Sequence, residues 1–538
     1  MTTGADIIAG KLHAAGCRHA FGIPGGEVLA LMQALDQAGL NFVLVKHENA
    51  GGFMAEGGWH ADGAPGVLLA TIGPGAANAI NVVANAWQDR VPLIFLTGCV
   101  DQADAESYTH QVFDHQQLLR PIVKASFSAR LGALDVMMEK ALAVALDGQP
   151  GPVHIDVPIK VAEAETEEGW TNRFVTAPVA SAPIEGPDLE TARALFAKAD
   201  RPIAIAGVDA VNEGVSVEIS RFCKTFKIPL VTSYKGKGLL DENSELALGG
   251  AGLSPKADGH LLPLINQSDC ILLLGYDPIE MRINWRNPWD ATANVIDVTP
   301  VLRTHGMHAV SATLRSAVGP ALKLLAESRS KEQASWTNGL PAKVREDLEK
   351  AFQPEPSGWG PGRVFHALRD VMPLNTVATA DSGAHRILVS QIWRCPMPRQ
   401  MLQSSALCTM GCAVPLAMGH RLVDDRSPVI AFVGDAGLEM CLGELSTLRD
   451  LNIPVIICVL VDTSLALIEL KQRGSQRPNV GVDFGETDFP AVAGAYGGHG
   501  VWIENENDLK QEAEAALKRD GFTLLACRIP RRAYDGAF

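Results

Sequence analysis

The apolar positions of this chain fall in short runs that close on turns of Gly, Pro, Asp, Ser or Thr and then give way to helix-like stretches. Near the carboxyl end Val429-Ile-Ala-Phe-Val433 stops at Gly434-Asp435-Ala436-Gly437, and Ile453-Pro-Val-Ile-Ile-Cys-Val-Leu-Val461 stops at Asp462-Thr463-Ser464. Near the amino end Phe21-Gly-Ile-Pro24-Gly25-Gly26, Val43-Leu-Val-Lys-His-Glu48 and Gly66-Val-Leu-Leu-Ala-Thr71-Ile-Gly73-Pro-Gly75-Ala-Ala-Asn78 read as three strand-to-loop passages. Unbroken apolar runs bounded by turn residues predict strands buried on both faces, and helical stretches between them predict parallel sheets covered by helices. The same alternation recurs in the middle of the chain, at Pro202-Ile-Ala-Ile-Ala206, Pro229-Leu-Val-Thr232, Cys270-Ile-Leu-Leu-Leu274 and Asn294-Val-Ile-Asp-Val298, and again at Thr376-Val-Ala-Thr-Ala380.

Two breaks in composition divide the pattern. After Gly151-Pro-Val-His-Ile-Asp-Val-Pro158, the acidic run 162–168 and the stretch 177–187, rich in Ala and Pro, read as a linker. The charged stretch 327–350 and then Gln353-Pro-Glu-Pro-Ser-Gly-Trp-Gly-Pro361 lead into a last unit. The expected fold class is therefore α/β, with three doubly wound parallel-sheet domains over residues 1–170, 188–326 and 358–538.

A buried strand that ends in a small-residue turn and feeds a helix offers backbone N–H groups to a phosphate, and a carboxylate there can hold a hard cation bridging to it. Asp435 and Asp462 sit at two such ends, so a metal-held diphosphate is the natural occupant. Taken singly, each residue has a plainer reading: solvated aspartates at loop ends, and for Glu48 a helix-capping or surface carboxylate.

The carboxyl-end segment resembles the Gly-Asp-Gly to Asn-Asn signature of thiamine diphosphate (ThDP) enzymes, with Asp435 and Asp462 at the family's spacing of 27 positions. Ala436, Val461 and Asp462 depart from that consensus. The amino-end passages resemble the pyrimidine-binding domain of the acetolactate synthase-like (large catalytic subunit) branch, and Asp381-Ser-Gly-Ala-His385-Arg386 matches the family's diphosphate loop. The resemblance implies pyrimidine-binding, central and diphosphate-binding domains in that order. It places Mg²⁺ on Asp435, Asp462 and the Ser464 carbonyl, and the cofactor against Pro24, Gly25, Asn78, His385, Gly434, Ala436 and Gly437. Met410 falls under the V-shaped bend of the cofactor, and the Cys408 carbonyl against its amino group. Glu48 falls where the family places the carboxylate on N1′, which shifts the aminopyrimidine to the imino form that takes the C2 proton.

Substrate contacts are less fully written. His110-Gln111, ahead of Arg120-Pro-Ile-Val-Lys124, aligns with the family's Phe-Gln segment, so Gln111 would bond the C2 adduct and His110 would shuttle a proton or touch substrate. Lys471 stands where acetolactate synthase has a specificity tryptophan, which implies a donor or acceptor other than the standard pair. Asp277 replaces an arginine of the flavin-binding pattern, and that reversal of charge argues against FAD.

Composition narrows the rest. Of 538 residues, 47 % are hydrophobic and 20 % charged, enough for several cores, and a net charge of −15 disfavours nucleic acid or anionic membrane as a partner. No apolar run reaches the roughly 20 residues needed to span a bilayer, no export signal stands at Met1, and ten scattered cysteines without a CxxC pair suit a reducing cytoplasm. The expected activity is a C–C lyase or carboligase working on a 2-oxo acid or related carbonyl donor through a C2 ylid and an enamine. A simple decarboxylase, a cyclic-diketone hydrolase and a catalytically silent diphosphate-binding homologue are the alternatives. In the family the cofactor lies between subunits, so a homodimer is the minimum and a homotetramer is common among relatives.

Overall fold

A computed structural model of the chain describes residues 2–538 apart from 102, 106, 168–179, 304 and 355–357. Parts of both expected linkers therefore lie outside the described residues. The amino-terminal sheet comprises β1 (His19–Ile23), β2 (Asn41–Leu44), β3 (Gly66–Ala70), β4 (Leu93–Cys99), β5 (Ala125–Ser128) and β6 (Val153–Pro158), in the spatial order β2-β1-β3-β4-β6-β5. The middle sheet has β7 (Pro202–Ala206), β8 (Leu230–Thr232), β9 (Ala247–Gly250), β10 (Cys270–Leu274), β11 (Asn294–Thr299) and β12 (Ala312–Arg315), ordered β9-β8-β7-β10-β11-β12. The third has β13 (Val377–Ala380), β14 (Met401–Gln403), β15 (Val429–Gly434), β16 (Ile456–Val461), β17 (His499–Ile503) and β18 (Thr523–Arg528), ordered β14-β13-β15-β16-β18-β17.

All three six-stranded sheets are parallel, and the first and third share one strand order. Every residue of β3, β7, β10 and β16 is buried, as expected of strands covered on both faces. In each sheet the direction of winding reverses between two neighbouring strands, β1 and β3, β7 and β10, or β13 and β15, leaving a crevice at their carboxyl ends.

Two expected connectors carry structure. The charged stretch 327–350 includes a helix, Leu340–Ala351, whose Val344 and Leu348 are buried while its charged face meets solvent. Past β6, Glu165–Thr166 pair antiparallel with Thr2–Thr3, tying the start of the chain to the end of the first domain.

The first and third domains meet through helix α1 (Glu48–Asp62), which packs beside α2 (Ile80–Gln88), and helix α4 (Ala413–Val423) of the third domain, which also carries α3 (Ala384–Ile392), α5 (Asp435–Glu439) and α6 (Ala466–Gly474). Helices α1 and α4 cross at backbone distance. A Cβ at Gly57 would lie 2.2 Å from the Leu416 carbonyl oxygen, and one at Gly419 1.9 Å from that of Met54. Phe53, Met54, Leu416 and Met418 join a single apolar core spanning both domains.

Candidate active site

At the crevice between β13 and β15 a cavity of about 170 Å³ is lined by Ser382, Gly383, His385, Cys408, Met410, Gly434, Asp435, Ala436, Gly437, Asp462, Ser464 and the apolar start of α6. All of its lining residues belong to the third domain. The strand ends explain the gathering, because β13, β15 and β16 are neighbours in register and their turns open on one side.

Asp435 is buried and ties two of those turns together. Its Oδ1 accepts from the Ala436 N–H at 2.9 Å, and its Oδ2 accepts from the Asp462 and Thr463 N–H groups at 3.1 and 2.7 Å. Asp462 lies across from it, with Oδ1 accepting from the Ser464 N–H at 3.2 Å. Its other oxygen, Oδ2, is buried and has no hydrogen-bond partner among the described residues. Burial, and then the Asp435 charge, push the Asp462 carboxyl up to about 7. An acidic oxygen left bare beside a second carboxylate is the donor set that a hard divalent cation satisfies, so these residues fit Mg²⁺. Ala436 sits in α5 with a negative φ, so replacing the consensus Gly brings no backbone strain.

His385, at the start of α3, is buried rather than exposed. Burial, and then the neighbouring Arg386, bring it down to about 3, so the ring is neutral. Its Nε2 is another buried atom without a partner among the described residues. Nε2 lies bare on the cavity wall, so the ring offers a bound ligand an unused polar contact.

The segment bearing Cys408 and Met410 is held from several sides. Asp381 accepts from the Gly411 and Cys412 N–H groups at 2.9 and 3.0 Å. Asp89, from the first domain, accepts from the Ser405 and Ala406 N–H groups at 3.0 Å each, and Lys235 of the middle domain lies 2.9 Å from Asp89. Ser404 Oγ donates to Asn85 Oδ1 at 2.6 Å and accepts from the Thr409 N–H at 2.9 Å. Cys408 has φ +58°, a left-handed conformation that this net of bonds maintains.

In the first domain Glu48 is 3 % exposed, at the first position of α1. Asn78 donates to its Oε2 at 3.0 Å. Just upstream, Glu444 of the third domain accepts from the Lys46 and His47 N–H groups at 2.9 and 3.1 Å, fixing the loop that presents Glu48. Pro24 and Gly25 follow β1, and a Cβ at Gly25 would lie 2.1 Å from Thr71 Oγ1, a space only glycine fits. His110 and Gln111 are exposed, His110 edge-on to Tyr108 and Gln111 at φ +60°. The structure thus brings the predicted residues into two groups, the cavity set of the third domain and the Glu48 set of the first.

Family models agree with this division. The N-terminal TPP-binding domain of thiamine pyrophosphate enzymes matches residues 2–118, the central domain 189–325 and the C-terminal TPP-binding domain 381–527. The chain belongs to the ThDP-dependent enzymes, in their acetolactate synthase-like branch. Among similar proteins, the probable acetolactate synthase large subunit of Methanocaldococcus jannaschii is 29 % identical over 97 % of this chain and 91 % of its own length. Acetolactate synthase of Bacillus subtilis is 27 % identical over 97 % and 92 %, and the catabolic acetolactate synthase of Raoultella terrigena 27 % over 98 % and 95 %.

Several residues around this candidate site escape sequence reasoning. Asp381, Glu444, Asn85 and Asp89 act by holding loops, and Tyr534 enters the cavity from the chain's end. Of these only Asp381 carries a local signal, since it closes an apolar strand as Asp435 does. Lys471 is exposed on α6, while Leu465, Leu467 and Ile468 line the cavity. Among the described residues no helix is long and apolar enough to cross a membrane, and the ten cysteines are free.

Proposed function

We propose that this protein is a ThDP- and Mg²⁺-dependent carbon–carbon lyase or carboligase acting on a 2-oxo acid or related carbonyl donor. The observation that carries the reading is Glu48, a carboxylate sequestered from water and oriented by Asn78 instead of projecting into solvent. A protein that only bound a diphosphate would have no use for it.

In this reading Asp435, Asp462 and the Ser464 carbonyl hold the cation, while the turn at Gly434, Ala436 and Gly437 and the His385 ring receive the diphosphate. Met410 would pack against the cofactor, with the Cys408 carbonyl alongside. Pro24, Gly25, Asn78 and Glu48 close the far end, where Glu48 holds a proton at the pyrimidine N1′. When bound, the cofactor supplies a nucleophilic thiazolium carbon and an electron sink for the charge left as the donor loses its fragment. Gln111 orients the donor carbonyl and His110 delivers a proton to the departing product.

Because the cavity draws every lining residue from the third domain, Glu48 is best supplied by a second copy, which makes a homodimer the smallest competent unit and a homotetramer two of these. In the middle domain a polar network borders the crevice between β7 and β10, beside a cavity of about 250 Å³ lined by Arg90, Gln149, Asp277 and Arg303. Arg90 donates to Asp277 Oδ2 at 2.8 Å, and Gln149 donates to Asp209 at 3.1 Å and to Asp277 at 3.2 Å. Asp277, standing where the flavin-binding pattern has an arginine, puts a negative charge toward that space and favours a central domain without FAD.

The test is CO₂ release from a panel of 2-oxo acids, with and without aldehyde acceptors, given ThDP and Mg²⁺. Glu48→Gln should lower turnover by about 10²- to 10⁴-fold while cofactor still binds. Condensation products would mark a carboligase, and free aldehyde alone a decarboxylase in which His110 protonates the intermediate. An intact protein that turns over nothing in the panel would favour the silent homologue and refute the proposal.

A further inference from the structure

Behind the first-domain crevice lies a buried polar cluster that the scheme above does not use. Asp156, on β6, accepts from Thr97 Oγ1 at 2.7 Å and meets His115 Nδ1 at 2.9 Å through the same oxygen. Its other oxygen accepts from Gln116 Nε2 at 3.2 Å. His154 Nε2 lies 3.4 Å from Asp156 and 2.8 Å from Thr97 Oγ1. Burial by itself would raise the Asp156 carboxyl, but the hydrogen bonds from His115, His154 and Thr97 outweigh it and hold the group below the usual carboxylate range. Asp156 is thus an anion, and the proton shared with His115 rests on Nδ1.

That tautomer leaves His115 Nε2 as an acceptor, and it takes the N–H of Gly73 at 3.2 Å. Gly73 (φ +73°) caps the short helix Pro74–Asn78. A Cβ there would lie 2.4 Å from the carbonyl oxygen of Gln111 and 2.9 Å from its Cβ, so the two backbones are in contact. At the other end of the same turn Asn78 donates to Glu48, and a Cβ at Gly75 would lie 3.2 Å from Glu48 Oε1. One imidazole therefore anchors the start of a rigid turn whose start touches Gln111 and whose end orients Glu48.

We infer that His115, oriented by Asp156, is a positioning residue that sets Glu48 and Gln111 relative to each other through the Gly73 N–H. The inference rests on the roles given to those two residues above. It also differs from a metal reading of the same cluster. The His115, His154 and Asp156 ligand atoms lie within 4.8 Å of one another, yet His115 Nε2 is engaged by a backbone N–H and Asp156 Oδ1 by a hydroxyl, so a metal would have to displace bonds already made.

Three substitutions separate the bonds. His115→Gln places an amide oxygen near the former Nε2 and keeps the acceptor for Gly73. His115→Asn keeps a donor toward Asp156 and loses that acceptor, and His115→Phe loses both. Amide hydrogen exchange of the peptide covering residues 71–79 is measured first, on protein free of ThDP. Native protein and His115→Gln should protect this peptide alike, while His115→Asn and His115→Phe should exchange it about 10- to 100-fold faster with other peptides unchanged. Deuterium exchange at C2 of bound ThDP should then fall by about 10- to 100-fold in the same two variants and by about threefold or less in His115→Gln.

Equal protection in all four proteins would overturn the inference. So would stoichiometric zinc in the purified protein whose removal alone reproduced the loss. A native protein that fails to accelerate C2 exchange while the peptide result holds would instead sink the reading of Glu48, keeping the two failures distinct. Should His115→Phe not fold, the contrast between Gln and Asn at this position still decides the matter.

Discussion

Replacing Asp462 with Asn tests the cation site without requiring any cation. The carboxyl is raised from 3.8 to about 7 by burial and by Asp435, and each tenfold change in proton affinity is worth about 1.4 kcal/mol. A displacement of that size makes the metal-free fold on the order of 4 kcal/mol less stable with the group ionised than with it neutral. The sign follows from proton counting. Below about pH 4 the folded and unfolded chains both keep the proton, and the aspartate costs nothing. Between about pH 4 and 7 the unfolded chain releases the proton while the folded chain retains it, so stability falls as pH rises, and above about 7 the full penalty stands. The amide introduced by Asp462→Asn would keep an oxygen for the Ser464 N–H and carry no charge.

In EDTA, urea denaturation of Asp462→Asn should match the native protein near pH 4 and exceed it by a margin that grows to a plateau above pH 7. Added Mg²⁺ should reverse the ranking above pH 7, because the cation removes the penalty only where both carboxylates are present. Identical pH profiles for the two proteins in EDTA would refute a buried, unpaired carboxylate at this position.

Two glycine substitutions probe how the site is braced. Gly437→Ala would put a Cβ 2.0 Å from Asp381 Oδ2, displacing the carboxylate that holds the Gly411 and Cys412 N–H groups, and calorimetric titration should show ThDP affinity weakened by about tenfold or more. Gly419→Ala, inside α4, would ordinarily gain about 1 kcal/mol of helix propensity. Here its Cβ would lie 1.9 Å from the Met54 carbonyl oxygen, and overpacking of about 1–3 kcal/mol should win. A lower melting temperature is expected, and a raised one would contradict the described crossing.

The fold class is legible because its signal is long apolar runs closed by turn residues, which is what strands covered on both faces require. Strands lacking that signal are not. Ala125–Ser128 is a half-polar edge strand, and Met401–Gln403 spans three residues at the edge of its sheet. Helix Leu340–Ala351 reads as a charged connector because only a narrow stripe of it is apolar. Within the site, residues at strand ends carry position in their local sequence, which is how Asp435 and Asp462 can be named, whereas His385 follows from the resemblance of its segment to the family's diphosphate loop. Asp89, Glu444 and His115 act on backbone N–H groups far along the chain, and no local spacing encodes such partners. The burial of His385 likewise comes from neighbouring strands, not from its own segment.

Where α1 and α4 cross, nothing but hydrogen separates two main chains, and that has a bearing on building chimeras from relatives of this enzyme. A graft cut between the pyrimidine-binding and diphosphate-binding units would pair a groove from one parent with a ridge from another, at a contact with no pliable side chain to absorb the mismatch. Gly57 and Gly419, with the helices that carry them, form the smallest piece that can be exchanged intact.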